Sequence, residues 1–127
     1  MFVFDLIPFR DLLGKTLTVC ELHEDGTSIT FICDDGTEYL MKHEQDCCES
    51  VWVEDIIGDL NDLLYAPILM ADEETSGQNP LPDSDVSHTW TFFKLATMSG
   101  YVTIRWYGSS NGYYSESADL FIKRLEE

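Results

Sequence analysis

The densest grouping of reactive side chains is His43-Glu-Gln-Asp-Cys-Cys-Glu49, which gathers an imidazole, two thiols and three carboxylates. Imidazole and thiolate are the usual ligands of zinc, and a zinc site needs three or four donors converging. His43, Cys47 and Cys48 are the candidate metal ligands, with Asp46 and Glu49 as possible oxygen donors. A closed four-ligand shell here would be structural, stapling a strand meander to the helix expected after it, whereas an open one would be needed for catalysis. The spacing is not that of a finger, since no pair of C-x-x-C knuckles is present. Adjacent cysteines also tend to point apart. Cys33 could join from the preceding strand, because the Asp35-Gly36 turn folds that strand back. The plain alternative is that Cys47 and Cys48 are small buried hydrophobes and His43 a hydrogen-bonded strand end. A Cys–His nucleophile is the catalytic reading of the same residues. The neighbouring acids oppose it by raising the thiol pKa, so the chain is not expected to be an enzyme.

A second constellation is Thr103-Ile-Arg-Trp-Tyr-Gly-Ser-Ser-Asn-Gly-Tyr-Tyr-Ser-Glu116. An Arg in an aromatic strand usually pairs with a carboxylate, and Glu116 lies across the Asn111-Gly112 turn from Arg105. The Trp and Tyr residues could form a binding face. The favoured reading makes Trp90, Phe92, Trp106 and Tyr114 core and cross-strand packing. There is no P-loop, G-x-G-x-x-G, G-x-S-x-G or H-E-x-x-H, and Asp34-Asp35-Gly36 is a turn rather than a calcium loop.

The elements that must position these groups are mostly strands. Asp25-Gly26, Asp35-Gly36, Ser99-Gly100 and Asn111-Gly112 are hairpin turn signals. Thr16–His23, Ser28–Cys33 and Thr37–His43 read as a three-stranded meander. His88–Thr97 and Tyr101–Tyr107 read as a hairpin, with Tyr113 to Arg124 returning as one more strand. Two segments read as helical. Phe4 to Leu13 is short and interrupted by Pro8. Val53 to Leu64 places Ile56, Ile57, Leu60, Leu63 and Leu64 on one face and Asp55, Asp59 and Asp62 on the other, against the cost of Gly58. Asp72 to Ser87, with Gly77, Pro80 and Pro82, reads as a long exposed loop. The expected fold is α+β: an antiparallel β-sheet meander with one main α-helix and a short N-terminal helical segment, as a single domain over 1–127 with the loop at 72–87 inside it.

Charge narrows the function. With 24 Asp and Glu against 7 Lys and Arg, the net charge is −17. Between Thr16 and Phe93 the only Lys or Arg is Lys42, while 16 carboxylates lie from Glu21 to Glu74. Such a field repels phosphate backbones and draws basic surfaces in. Direct binding of nucleic acid is therefore not expected. The N-terminus lacks a basic n-region and is broken by Asp5, and no apolar run reaches the ~18 residues of a membrane span. The expected compartment is the cytosol, where cysteines are thiols or metal ligands more often than disulfides.

The strings H-x-Q-D-C-C-E-x-V, within residues 43–64, and W-Y-G-x-S-N-G-Y-Y-S-E, within residues 88–117, resemble a family of small proteins of phages and mobile elements of Gram-positive bacteria, catalogued as a domain of unknown function. The resemblance implies an inhibitor of host defence, in its sharpest form an anti-CRISPR protein that blocks target DNA loading by Cas9, whose nucleic-acid channel is basic. It also strengthens zinc at His43, Cys47 and Cys48. The partner-binding surface would comprise Glu44, Asp46, Glu54, Asp55, Asp59, Asp62, Asp72, Glu73 and Glu74, beside the metal site, with the aromatic hairpin after His88 as scaffold. The competing expectations are a phage structural or regulatory module whose acidity is only solubility, and a Cys or zinc enzyme.

Overall fold

In a computed structural model, residues 1–76, 79–80, 86–112 and 115–126 are described. The chain is built from antiparallel strands in two sheets. They run β1 (Phe2–Ile7), β2 (Leu17–Leu22), β3 (Ser28–Cys33), β4 (Glu38–Lys42), β5 (Ser50–Ile57), β6 (Met70–Thr75), β7 (Asn79–Pro80), β8 (Ser87–Thr97), β9 (Gly100–Ser110) and β10 (Asp119–Leu125). The first sheet has the order β1-β10-β4-β3-β2 and the second β5-β9-β8-β6, with β7 added on β8. Helical structure among the described residues is limited to the 3₁₀ turns Phe9–Leu12 and Leu60–Leu63.

The meander and the aromatic hairpin form at Asp25-Gly26, Asp35-Gly36 and Ser99-Gly100, whereas Asn111-Gly112 closes no hairpin, since β9 and β10 lie in different sheets. The two inward faces enclose one core, in which Ile29, Phe31 and Met41 of the first sheet meet Phe93, Leu95, Ile104 and Trp106 of the second. Trp106 Nε1 donates to Met41 Sδ at 3.2 Å across the layers. Phe9, on the first 3₁₀ turn, packs against Phe93 with ring centroids 4.8 Å apart.

The α+β expectation is corrected: the fold is all-β, and the main helix does not exist. Ser50–Ile57 is an edge strand of the second sheet, followed by the turn Leu60–Leu63. The helical spacing has a specific origin. A β-bulge between Val53 and Asp55 inserts one residue, so Val53 and Ile56 both pack on the core although three apart. The 3₁₀ turn then brings Leu60 and Leu63 to the same side. Gly58 separates the two elements with φ +105°, and a Cβ there would lie 2.5 Å from the Tyr101 carbonyl oxygen. The N-terminal helical segment survives only as Phe9–Leu12, because Phe2–Ile7 is strand β1. Asp72–Thr75, expected to begin the long loop, belong to β6. Gly77, Pro82 and Tyr114, which figured in the expectations, lie outside the described residues, while Pro80 is in β7.

Candidate functional site

Residues 43–49 cross from β4 in the first sheet to β5 in the second. The crossing is organised on Glu49, whose side chain is completely buried. Its carboxylate accepts the backbone N–H of Asp46 at 2.6 Å and of Cys47 at 3.0 Å. It also accepts His43 Nε2 at 2.7 Å. Gln45 Nε2 donates to the Glu49 carbonyl at 2.7 Å and the Cys47 carbonyl at 3.0 Å. Burial pushes the Glu49 carboxyl up, but the hydrogen bonds from Asp46, His43 and Cys47 outweigh it and hold the group down at about 2. His43 Nδ1 donates to the Ser117 carbonyl at 2.9 Å. Both ring nitrogens thus face oxygen acceptors, and Nε2 lies within ion-pair distance of the Glu49 carboxylate.

The candidate ligands His43, Cys47 and Cys48 have other partners in this structure. The two imidazole nitrogens are engaged elsewhere. Cys47 and Cys48, where thiols or metal ligands were expected, are joined to each other as a disulfide. Cys33 and Cys20 are free and buried. Burial pushes the Cys20 thiol up to about 12, helped by the charge of Glu21, and also raises Cys33. Among the described residues no group of three or more His, Cys, Asp and Glu could hold a metal ion.

The expected acidic face is divided by the fold. Glu44 and Asp46 are exposed on the 43–49 crossing. Glu54 and Asp55 lie on β5, one edge of the second sheet, and Asp72, Glu73 and Glu74 on β6, the opposite edge. Asp59 caps the second 3₁₀ turn by accepting the Asn61 N–H at 2.9 Å. Asp62 lies in that turn, half-buried against Gly100. Alternation along β6 also separates Glu73 from Asp72 and Glu74. Partial burial and the charge of Asp119 raise the Glu73 carboxyl, whereas Glu74 pairs with Lys94 at 2.8 Å.

Between those two edges lies a face that the charge pattern does not reveal. Trp106 is core, but Trp90, Phe92, Arg105 and Tyr107 alternate with buried neighbours and look outward. Trp52 of β5 stands opposite Tyr107, which stands opposite Trp90. The ring centroids are 5.0 Å and 4.8 Å apart, making a row of three aromatics across three strands. Trp52 Nε1 donates to Glu54 at 2.8 Å. The Arg105 guanidinium lies 5.0 Å over the Trp90 ring and 3.9 Å from Asp55. The expected Arg105–Glu116 pair is therefore absent. Glu116 is instead buried, accepting hydroxyls of Thr89 at 2.7 Å and Ser87 at 3.2 Å, together with Ser110. The signal that could have located the platform was period two: Trp90 and Phe92 share one parity on β8, and Arg105 and Tyr107 share one on β9.

The chain belongs to a family described as a domain of unknown function, DUF7448, matched over residues 10–120. No curated protein and no solved structure matches it. Among the described residues, no helix is long and apolar enough to cross a membrane.

Proposed function

We propose that this chain is a protein-binding module that docks a positively charged partner on the outer face of its second sheet. The observation that carries the reading is the Trp52–Tyr107–Trp90 row with carboxylates at both edges of the same sheet. Tyr and Trp are enriched at interface centres, and aromatic faces attract cations. Arg105 over Trp90 is an internal example of that contact. The net charge of −17 steers a basic partner in and disfavours phosphate. A binding role is preferred to a catalytic one because His43 is committed to Glu49 and the free thiols are buried.

In its finer form the partner is a host defence protein with a basic nucleic-acid channel in the bacterial cytosol. A Cas9-type effector prevented from loading target DNA is the sharpest case. Zinc on His43, Cys47 and Cys48 is a separate proposal for the reduced chain, and it requires the His43–Glu49 bond to open.

The test is a titration of Cas9, with and without guide RNA, and of an arginine-rich peptide as a generic cationic probe. Binding should weaken steeply with salt. Trp90→Ala with Tyr107→Ala should weaken it at least tenfold without unfolding the chain. Peptide binding without Cas9 binding would support the face and reject that partner. Unchanged binding of both by the double variant would reject the face.

A further inference from the structure

Strand β1 is the last strand on one side of the first sheet, and its free edge is unusually apolar. Phe2, Phe4 and Leu6 are 60%, 42% and 64% exposed on its outer face. Its pairing with β10 is regular from Phe2–Leu125 to Ile7–Leu120. The Met1 carbonyl accepts the Glu126 N–H at 2.9 Å. In an antiparallel ladder, alternate residues bond to the same neighbour. Val3, Asp5 and Ile7 therefore bond to β10, and the N–H and C=O groups of Phe2, Phe4 and Leu6 point out along the free edge. Among the described residues these three present both backbone groups without a neighbouring strand and exposed apolar side chains. Such an edge is a template for another strand.

Charge selects the occupant. Three of the chain's seven Lys and Arg residues, Lys42, Lys123 and Arg124, lie on β4 and β10 beside this edge. Lys123 sits 4.4 Å over the Phe2 ring and Lys42 5.9 Å over the Phe4 ring. Their nearby carboxylates are Glu38, paired with Lys123, Asp5, paired with Arg124, and Asp119, which stands opposite Lys42 in the β10–β4 register. A chain carrying −17 repels its own copies almost everywhere, but here the charges nearly cancel. A strongly basic partner would be drawn to the acidic surface, not to this one.

We propose that β1 is a homodimer interface, pairing antiparallel with β1 of a second copy to continue the first sheet across a two-fold axis. Centring on Phe4 sets Phe4 opposite Phe4 of the partner subunit and Phe2 opposite the partner subunit's Leu6. The outward backbone groups then all find partners. Asp5 faces the partner's Val3 rather than its own copy, so no like charges are opposed. The contact is isologous and closes at two chains.

Sedimentation and light scattering across a concentration series test this. The expected result is a reversible species of twice the 14.5 kDa chain mass, with dimerisation strengthened by added salt because screening relieves the residual repulsion. Phe4→Pro removes a central edge N–H and should yield a monomer. Leu6→Lys, which keeps the backbone, should do the same while leaving the melting curve two-state. A chain that stays monomeric up to several hundred micromolar in 0.5 M salt overturns the proposal. So does a dimer that survives Leu6→Lys, or one abolished by Trp90→Ala instead.

Discussion

Gly108 provides a sharp test of how the fold holds the 43–49 crossing. It lies within β9 between Thr89 on β8 and Val51 on β5. Residues 115–118 cross directly over it. A Cβ at Gly108 would stand 1.9 Å from the Glu116 carbonyl oxygen, 2.6 Å from its carbon and 2.9 Å from its Cα. All three are backbone atoms, so no rotamer change relieves the clash. Gly108→Ala must displace the segment by about 1 Å or more, given ordinary contacts near 3.5 Å. That segment carries the Glu116 carboxylate into its hydroxyl cage and the Ser117 carbonyl onto His43 Nδ1. Overpacking costs about 1–3 kcal/mol, and losing one charge-assisted hydrogen bond adds roughly 1.5–3 kcal/mol. The sum, roughly 3–6 kcal/mol, corresponds to a Tm drop of about 10–25 °C for a domain of this size. Gly36→Ala is the control: its φ is +89° with nothing within 4 Å, so only backbone strain of about 1–2 kcal/mol applies. Thermal and urea melts by circular dichroism decide. If Gly108→Ala melts within about 3 °C of the wild type, or no lower than Gly36→Ala, the crossing is not held as argued. Glu116→Ala should then cost much less in the Gly108→Ala background than alone, because both act through one segment.

Glu49 makes stability pH-dependent with a definite sign. Its folded carboxyl is held at about 2 against an ordinary 4.5, so its contribution is present above about 4.5 and is lost as pH falls towards 2. The Tm gap between wild type and Glu49→Gln should be widest above pH 4.5 and close by pH 2; a gap independent of pH would sink the ion-pair assignment. Iodoacetamide at pH 8 should label neither Cys20 nor Cys33 in the folded chain, since both are buried, and should label both in denaturant. Equal labelling in the native state would show that the core opens readily. Protein purified without nickel should carry no zinc while Cys47 and Cys48 are joined, and uptake of about one zinc per chain is expected only after reduction. Failure of the reduced chain to take up zinc would end the metal reading.

The strands were legible where turn chemistry and alternation agree. Asp25-Gly26, Asp35-Gly36 and Ser99-Gly100 each close a hairpin between alternating runs, and those pairs formed. Val53 to Leu64 has the spacing of a helix because a bulge and a 3₁₀ turn together reproduce a period near 3.6. Bulge positions depend on the partner strand, so local spacing cannot distinguish that composite from a helix. The β-branched and aromatic run Val51-Trp52-Val53 was the local signal that opposed the helix. β1 was obscured by Pro8, which marks the end of a strand there rather than a break in a helix. At the 43–49 crossing, the sequence shows the Cys–His cluster but not the residue that organises it. In the sequence Glu49 is no more than a possible oxygen ligand. Its burial depends on the crossing between sheets, which is a tertiary fact.

The distribution of charge also has to be read on the fold. Along the chain, carboxylates crowd residues 21–74 and the segment after His88 is nearly neutral, a linear pattern of an acidic docking region beside an aromatic scaffold. In space, β5 and β6 carry their acids to opposite edges of the sheet whose middle is β9 and β8. The neutral aromatic hairpin becomes the centre of a surface and the acidic segments become its rim. That is the usual division of labour at a protein interface, with aromatic anchors inside and charge outside. Rim charges govern encounter rate and salt dependence, whereas central aromatics govern residence time. Charge reversal at Asp55 and Asp72 should therefore slow association with a cationic partner, and Trp90→Ala should speed its dissociation. Stopped-flow kinetics separate the two; if both changes fall on dissociation alone, the rim-and-centre arrangement is wrong.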